Sequence, residues 1–147
     1  MPKIFNTSWL AVILATITYF MFGWVWYGLL FDKIWMASSG ITEEIAQANM
    51  AAKGPMIWVG AILMSLGQSI GVLMIIHYRG ARGLAACLAA TFWLIVTIGL
   101  PILAYTSVWG IIPLSGFLLD AGHMLAGYLM MAVIYALFQG KAVIDAN

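Results

Sequence analysis

Charge is what this sequence has least of. Lys and Arg number 6 and Asp and Glu 5 among 147 residues, 7% in all, for a formal net charge of +1. A soluble domain carries about a quarter charged residues and just under half apolar ones. Here 65% are hydrophobic, more than one soluble core of this size can hide. A water-soluble globular domain is excluded, and so is a disordered chain, which is poor in apolar residues and rich in charge. The near-neutral balance leaves no basic field, so no nucleic-acid partner is expected. The single cysteine, Cys87, excludes an intramolecular disulfide and a cysteine-based metal cluster within one chain. Cys-x-x-Cys pairs and Gly-rich phosphate loops are missing too, so nucleophilic catalysis finds no support and no cofactor is assigned.

What the sequence has instead is long intervals free of charge. Residues 4–31, 54–78, 83–119 and 121–140 contain no Asp, Glu, Lys or Arg, in runs of 28, 25, 37 and 20 residues. Crossing a hydrocarbon layer takes about 20 apolar residues as a helix. Helix is required because an unpaired backbone amide finds no water in lipid. A β-barrel would need short alternating segments, which are absent. The 37-residue run is too long for one helix and contains Pro101, Gly110, Pro113 and Gly116, which predicts a helix ending near Tyr105 and an apolar loop. The chain reads as a single all-α transmembrane domain over residues 1–147, with four spans at about 8–30, 56–78, 83–105 and 117–138. The first run far exceeds the roughly 7–15 apolar residues of a cleavable signal, so it is expected to stay as a span.

An even number of spans puts both termini and the loop between spans two and three on one side. That side holds Lys3, Arg79, Arg82 and Lys141, against Lys33 and Lys53 on the other. The excess points to both termini in the cytoplasm. Between the first two spans lies the most polar segment. Thr42 as N-cap, Glu43 and Glu44 in the first turn, Lys53 in the last turn and Gly54-Pro55 beyond predict a short outer interfacial helix over about 43–53. Its apolar face, Ile45, Ala48 and Ala52, is weak.

Two stretches resemble a known family. Trp26-Tyr27-Gly28-Leu29-Leu30-Phe31-Asp32-Lys33-Ile34-Trp35 followed by Thr42-Glu43-Glu44 looks like the signature of the small bacterial four-helix membrane proteins called domain of unknown function 1761. Phe117-Leu118-Leu119-Asp120-Ala121-Gly122-His123, leading into Leu129-Met130-Met131-Ala132-Val133-Ile134, is similar to that family's last helix. The sequence departs from the family where Gly-Pro-Leu-Phe-Gly is common, with Gly28-Leu29-Leu30-Phe31-Asp32 in its place. The resemblance covers roughly residues 8–138 and implies the four-helix membrane architecture, with no activity attached to it.

Asp120 and His123, three residues apart, share one face of the fourth span. Ionisable groups in a span usually face a protein interior or a wet cavity, so the pair is a candidate proton or cation site. The structural reading is favoured over that role: Asp120 caps the last helix and His123 bonds to it. Asp32 belongs to the same membrane face and is a third candidate. One Asp and one His from a single helix fall short of the three or four ligands of a zinc site, and Met124 adds only a soft donor, so no metal is assigned.

Trp24, Trp26, Tyr27, Phe31, Trp35, Trp58, Tyr105 and Trp109 all fall toward the outer face. They read chiefly as an interfacial belt, because an apolar ring there keeps its N–H or O–H wet; the remainder would line an outward cavity. Trp93 lies mid-span. Gln68, flanked by Ser65 and Ser69, is expected to bond another helix through Thr16, Thr18, Thr91 or Thr97, and Gly67/Gly71 form a small-xxx-small pair. His77 reads as a snorkelling residue at an inner helix end. The expected partners are the lipid bilayer and other membrane subunits or copies of the same chain. Two functions stay open: an accessory or interaction subunit packed in a membrane complex or homo-oligomer, or a small oligomeric channel or transporter for protons or cations using Asp120 and His123.

Overall fold

The computed structural model describes residues 3–5 and 7–144. Among these, four helices are long and apolar enough to cross a bilayer: Trp9–Leu30, Met56–Tyr78, Gly83–Val108 and an apolar stretch Leu114–Gln139 of a helix that continues to Ile144. They are called here the first to fourth spans. A two-residue hairpin, Lys3–Ile4 paired antiparallel with Thr7–Ser8, precedes the first. Ser8 caps that span by accepting from the Leu10 amide.

The loop between spans one and two holds two helices where the sequence suggested one. Glu43–Lys53 starts on Thr42, whose hydroxyl accepts from the Ile45 amide, and ends at Gly54. None of its residues is buried, and Ile45, Ala48 and Ala52 are all exposed. The additional helix, Asp32–Ser39, has Asp32 in its positive first turn and ends at Gly40, whose φ of 64° suits glycine. Its Ser38 packs against Gly116 of the fourth span so closely that an added Cβ on the glycine would meet Ser38 Cβ at 2.9 Å.

The third span runs past the expected end near Tyr105 to Val108, and the fourth starts at Leu114 rather than near residue 117. The expected apolar loop shrinks to a short turn containing Gly110, φ 68°. Pro101 does not break the helix because the residues just before it, Ile95–Gly99, form a wider π-helical turn. A proline ring collides with the carbonyl four residues back, here that of Thr97, and widening the backbone at that point gives the ring room.

The described ends of the chain and the turn between spans two and three gather at one end of the bundle. Phe5 lies against His77, ring centroids 5.1 Å apart, so the imidazole packs on the hairpin. From the fourth span, Gln139 donates to the Ala81 carbonyl (2.9 Å) and accepts from the Gly83 amide (3.0 Å), pinning that turn.

Packing divides the bundle into a closed half and a hollow half. The core is made of Ala11, Val12 and Ala15 of the first span, Val72, Leu73 and Ile76 of the second, Cys87 of the third, and Met131, Ala132 and Tyr135 of the fourth. All lie toward the hairpin end. A polar knot holds it together: Tyr135 Oη is 2.6 Å from Ser69 Oγ and donates to the Ser69 carbonyl at 3.0 Å, and Ser69 Oγ lies 3.5 Å from the Val12 carbonyl.

The threonines expected to answer Gln68 are engaged elsewhere or have no partner. Thr16 and Thr97 donate back to the carbonyls of Val12 and Trp93 on their own helices, and Thr91 Oγ1 is buried without a partner. Ser65 likewise donates to its own helix, at Ala61. Gly67 and Gly71 meet no other helix within the chain, since an added Cβ would find nothing within 4 Å. Close helix approach falls instead on the fourth span, where Gly127 lies directly against the Tyr19 ring and a Cβ on Gly122 would stand 3.2 Å from Trp26 Cζ2.

Two substitutions test this division. Tyr135→Phe removes the hydroxyl of the knot and is expected to destabilise the protein by about 1 kcal/mol, in line with hydrogen bonds between membrane helices. Gly127→Val forces the Tyr19 ring aside and is expected to cost about 1–3 kcal/mol. Unfolding in mixed micelles reads both; an unchanged midpoint for Gly127→Val would show that the first and fourth spans are not in close contact there.

Candidate functional site

Toward the other end the spans part around a cavity of about 470 Å³. Helical periodicity explains which residues reach it. Tyr19, Gly23 and Tyr27 repeat every four residues along the first span; Trp58, Ala61, Ser65 and Gln68 follow one face of the second. The fourth contributes Asp120, His123, Met124 and Tyr128 at the same kind of spacing, and the third only Leu103. Trp35, from the first loop helix, also lines the cavity.

A second π-helical turn shapes the upper wall. The first span widens at Trp26–Leu30, with the Phe31 amide bonding to the Trp26 carbonyl at 3.0 Å. From this turn Trp26 Nε1 donates to the Leu119 carbonyl (3.3 Å) and Tyr27 Oη donates to Asp120 Oδ1 (2.8 Å). π turns often mark functional sites because they re-aim side chains that a regular helix would point elsewhere.

His123 is nearly enclosed, with 8% of its surface exposed. Phe22 stacks on it (centroids 5.3 Å apart, planes 6° from parallel), and the rings of Tyr27, Tyr19 and Trp26 stand at 4.8, 5.0 and 6.2 Å. Its Nδ1 lies 3.4 Å from Tyr19 Oη, and which atom donates follows the histidine tautomer. Its Nε2 is buried without a partner and faces Gly23, where an added Cβ would stand 3.2 Å away.

Asp120 and His123 therefore share the cavity, as their spacing suggests, but they are not hydrogen-bonded to each other. Each is held by a tyrosine of the first span, eight residues apart. Tyr19 escaped the sequence reading; its signal was the Tyr19–Gly23–Tyr27 spacing, two rings flanking a glycine on one helix face. Asp32 does not line the cavity and sits in the first turn of the first loop helix. Among the described residues no three His, Cys, Asp or Glu side chains come together in an arrangement able to hold a metal ion.

The aromatic residues divide. Trp24, Tyr27, Trp35 and Trp58 line the cavity, Trp26 packs between the first and fourth spans, and Trp109 stands outside, 68% exposed. Gln68 Oε1, buried and without a partner, belongs to a residue of the cavity wall. Among the described residues Asp120 supplies the wall's only carboxylate, and no Lys or Arg lines it.

Gly67-Gln68-Ser69-Ile70-Gly71 spells the Gly-x-Ser-x-Gly of a nucleophile elbow, which corrects the expectation that the sequence contains no such motif. That motif works on a sharp strand-to-helix turn that exposes the serine. Here it lies inside a continuous helix, and Ser69 is fully buried and bonded to Tyr135. The match is one of letters only.

The sequence profile of a family described as a protein of unknown function, DUF1761, matches residues 10–136. The chain belongs to that family. No curated protein and no solved structure matches the chain. The two stretches in which the DUF1761 likeness was read meet in space, since Trp26 and Tyr27 of the first bond Leu119 and Asp120 of the second.

If Tyr27 and Asp120 hold each other across the site, their contributions are not additive. A double-mutant cycle with Tyr27→Phe and Asp120→Ala is expected to show a coupling of about 1 kcal/mol in unfolding measurements. Strictly additive effects would mean that the bond does not form.

Proposed function

We propose that the protein binds a small organic cation within the membrane, as the substrate site of a small transporter. The observation that carries this reading is the chemistry of the wall: one carboxylate, no cationic side chain, and a surround of aromatic rings. Ring faces attract cations electrostatically, more so when water is excluded. A carboxylate accepts only, and Asp120 has a single hydrogen bond, from Tyr27. Gln68 Oε1 adds a second acceptor in need of a donor. A volume near 470 Å³ falls in the range of small-molecule sites, roughly 300–1,000 Å³. A bare metal ion fits less well, because its ligands would have to come from more than Asp120 and His123.

The closed half of the bundle bears on mechanism. The Ser69–Tyr135–Val12 knot and the core below Tyr19 stop the cavity from continuing toward the hairpin end. A pocket open at one end and sealed at the other suits alternating access better than a pore. The gathering of positions 3, 79, 82 and 141 toward one end supports termini that face the cytoplasm of a bacterium, with the cavity toward the outside.

A second reading, an accessory subunit or homo-oligomer, draws on one observation. Among the described residues nothing stands within 4 Å of a Cβ added at Gly67 or Gly71, and Gly67, Ala85, Ala86 and Ala89 are exposed. Gly71→Leu would weaken self-association measured in mild detergent if that face joins copies, and leave it unchanged if lipid covers it.

The cation reading is tested with tetramethylammonium and the purified protein, following tryptophan fluorescence, since Trp24, Trp35 and Trp58 lie on the wall. Asp120→Asn keeps an acceptor for Tyr27 while removing the charge. It is expected to weaken binding by at least about tenfold, the scale of a desolvated charge contact. Ser39→Ala, on an exposed loop position, should change nothing. Equal affinity in wild type and Asp120→Asn, or no binding in either, would end this reading.

A further inference from the structure

The cavity does not end at its aromatic wall. On the far side of Phe20, Trp24 and Trp58, which line both spaces, lies an open groove of about 390 Å³ between the first and second spans, completed by Met21 and Ile62. Every one of its five lining residues is apolar, and Met21, Trp24, Trp58 and Ile62 are between 42% and 48% exposed on the outer surface of the bundle. The groove is thus a slot on the lipid-facing surface whose inner edge is the wall of a polar, acidic pocket. At that edge Phe20 and Trp58 meet edge to face at 6.3 Å.

We infer that the ligand is an amphiphile, a cationic head group in the cavity carrying a single alkyl tail that lies in the Phe20–Trp24–Trp58 groove, and that it enters sideways from the bilayer. This rests on the cation reading above. Two features select the occupant. The carboxylate of Asp120 selects a positively charged head, and the almost wholly apolar surface of the groove selects a saturated chain over a peptide or a sugar. A soluble cation would leave the groove without a role; an anionic or zwitterionic lipid would bring a phosphate to a wall with no Lys or Arg.

The experiment uses the full-length protein in phosphatidylcholine nanodiscs and a dodecyltrimethylammonium probe with a photoreactive diazirine at mid-chain. Adducts are located by mass spectrometry. Labelling is expected to concentrate on Met21 and Ile62, and to fall several-fold with excess tetramethylammonium or in Asp120→Asn. Ile62→Trp, which fills the groove, is expected to abolish that labelling while tetramethylammonium still binds with unchanged affinity. Adducts spread evenly over the lipid-facing sides of all four spans, or groove adducts that tetramethylammonium does not displace, overturn the amphiphile inference. If tetramethylammonium binds Asp120-dependently in that case, the cation reading survives alone; if it does not bind at all, both fall.

Discussion

In a layer without water, a polar side chain has to find its partner inside the protein, and this bundle meets that condition unevenly. Toward the hairpin end Tyr135, Ser69 and the Val12 carbonyl satisfy one another, and apolar side chains close around them. Toward the other end the supply of partners runs short. Of the three buried side-chain atoms left unpaired among the described residues, Gln68 Oε1 and His123 Nε2 belong to residues of the cavity, and only Thr91 Oγ1 lies elsewhere. An unmet polar atom in such surroundings is unfavourable by several kcal/mol in hydrocarbon, somewhat less where protein dipoles surround it. The ligand proposed above would give Gln68 Oε1 the partner it lacks.

The backbone makes that arrangement possible through departures from the regular helix. Glycines on the fourth span allow the rings of Tyr19 and Trp26 to lie against its backbone, which draws the first span close enough for two tyrosine hydroxyls to reach His123 and Asp120. The π turn at Trp26–Leu30 then re-aims Trp26 and Tyr27 toward the fourth span. The second π turn, at Ile95–Gly99, carries the third span past Pro101 and brings Gly99 into contact with Met124, one residue beyond His123. Both irregularities touch the same few residues of the fourth helix, so the wall of the cavity is set by where helices cannot be ideal.

This explains what could be read from the sequence and what could not. The number and placement of the spans follow from charge-free length, a one-dimensional property, and Thr42 and Gly54 mark the ends of the second loop helix through local chemistry. The helix at Asp32–Ser39 was missed although Asp32 and Gly40 bracket it, because eight residues give too short a period to stand out. The prolines and glycines beyond Tyr105 read as a loop, whereas the third span runs on to Val108 and the fourth starts at Leu114, because how far a helix continues past such residues depends on its neighbours. Asp120 and His123 were legible as a pair on one face. Their partners were not, because a hydroxyl across 93 or 104 residues of chain leaves no local trace. The interfacial belt assigned to the tryptophans was legible only as a preference for one end. Whether a ring at that depth faces lipid or a cavity depends on helix rotation, and Trp24 and Trp58 do both.

That double exposure is the last link between packing and function. A tryptophan that borders both a polar pocket and the lipid is a thin partition, and a partition of side chains responds to what lies on each side of it. Small residues, Gly23, Ala61 and Ser65, stand among the rings that line the pocket, and Phe20, Trp24 and Trp58 separate it from the outer groove. Space is thus kept beside the one carboxylate, while the barrier to the bilayer is built from rings. A bundle of four helices has little interior, and this one gives a large part of it to a charge and the room around it.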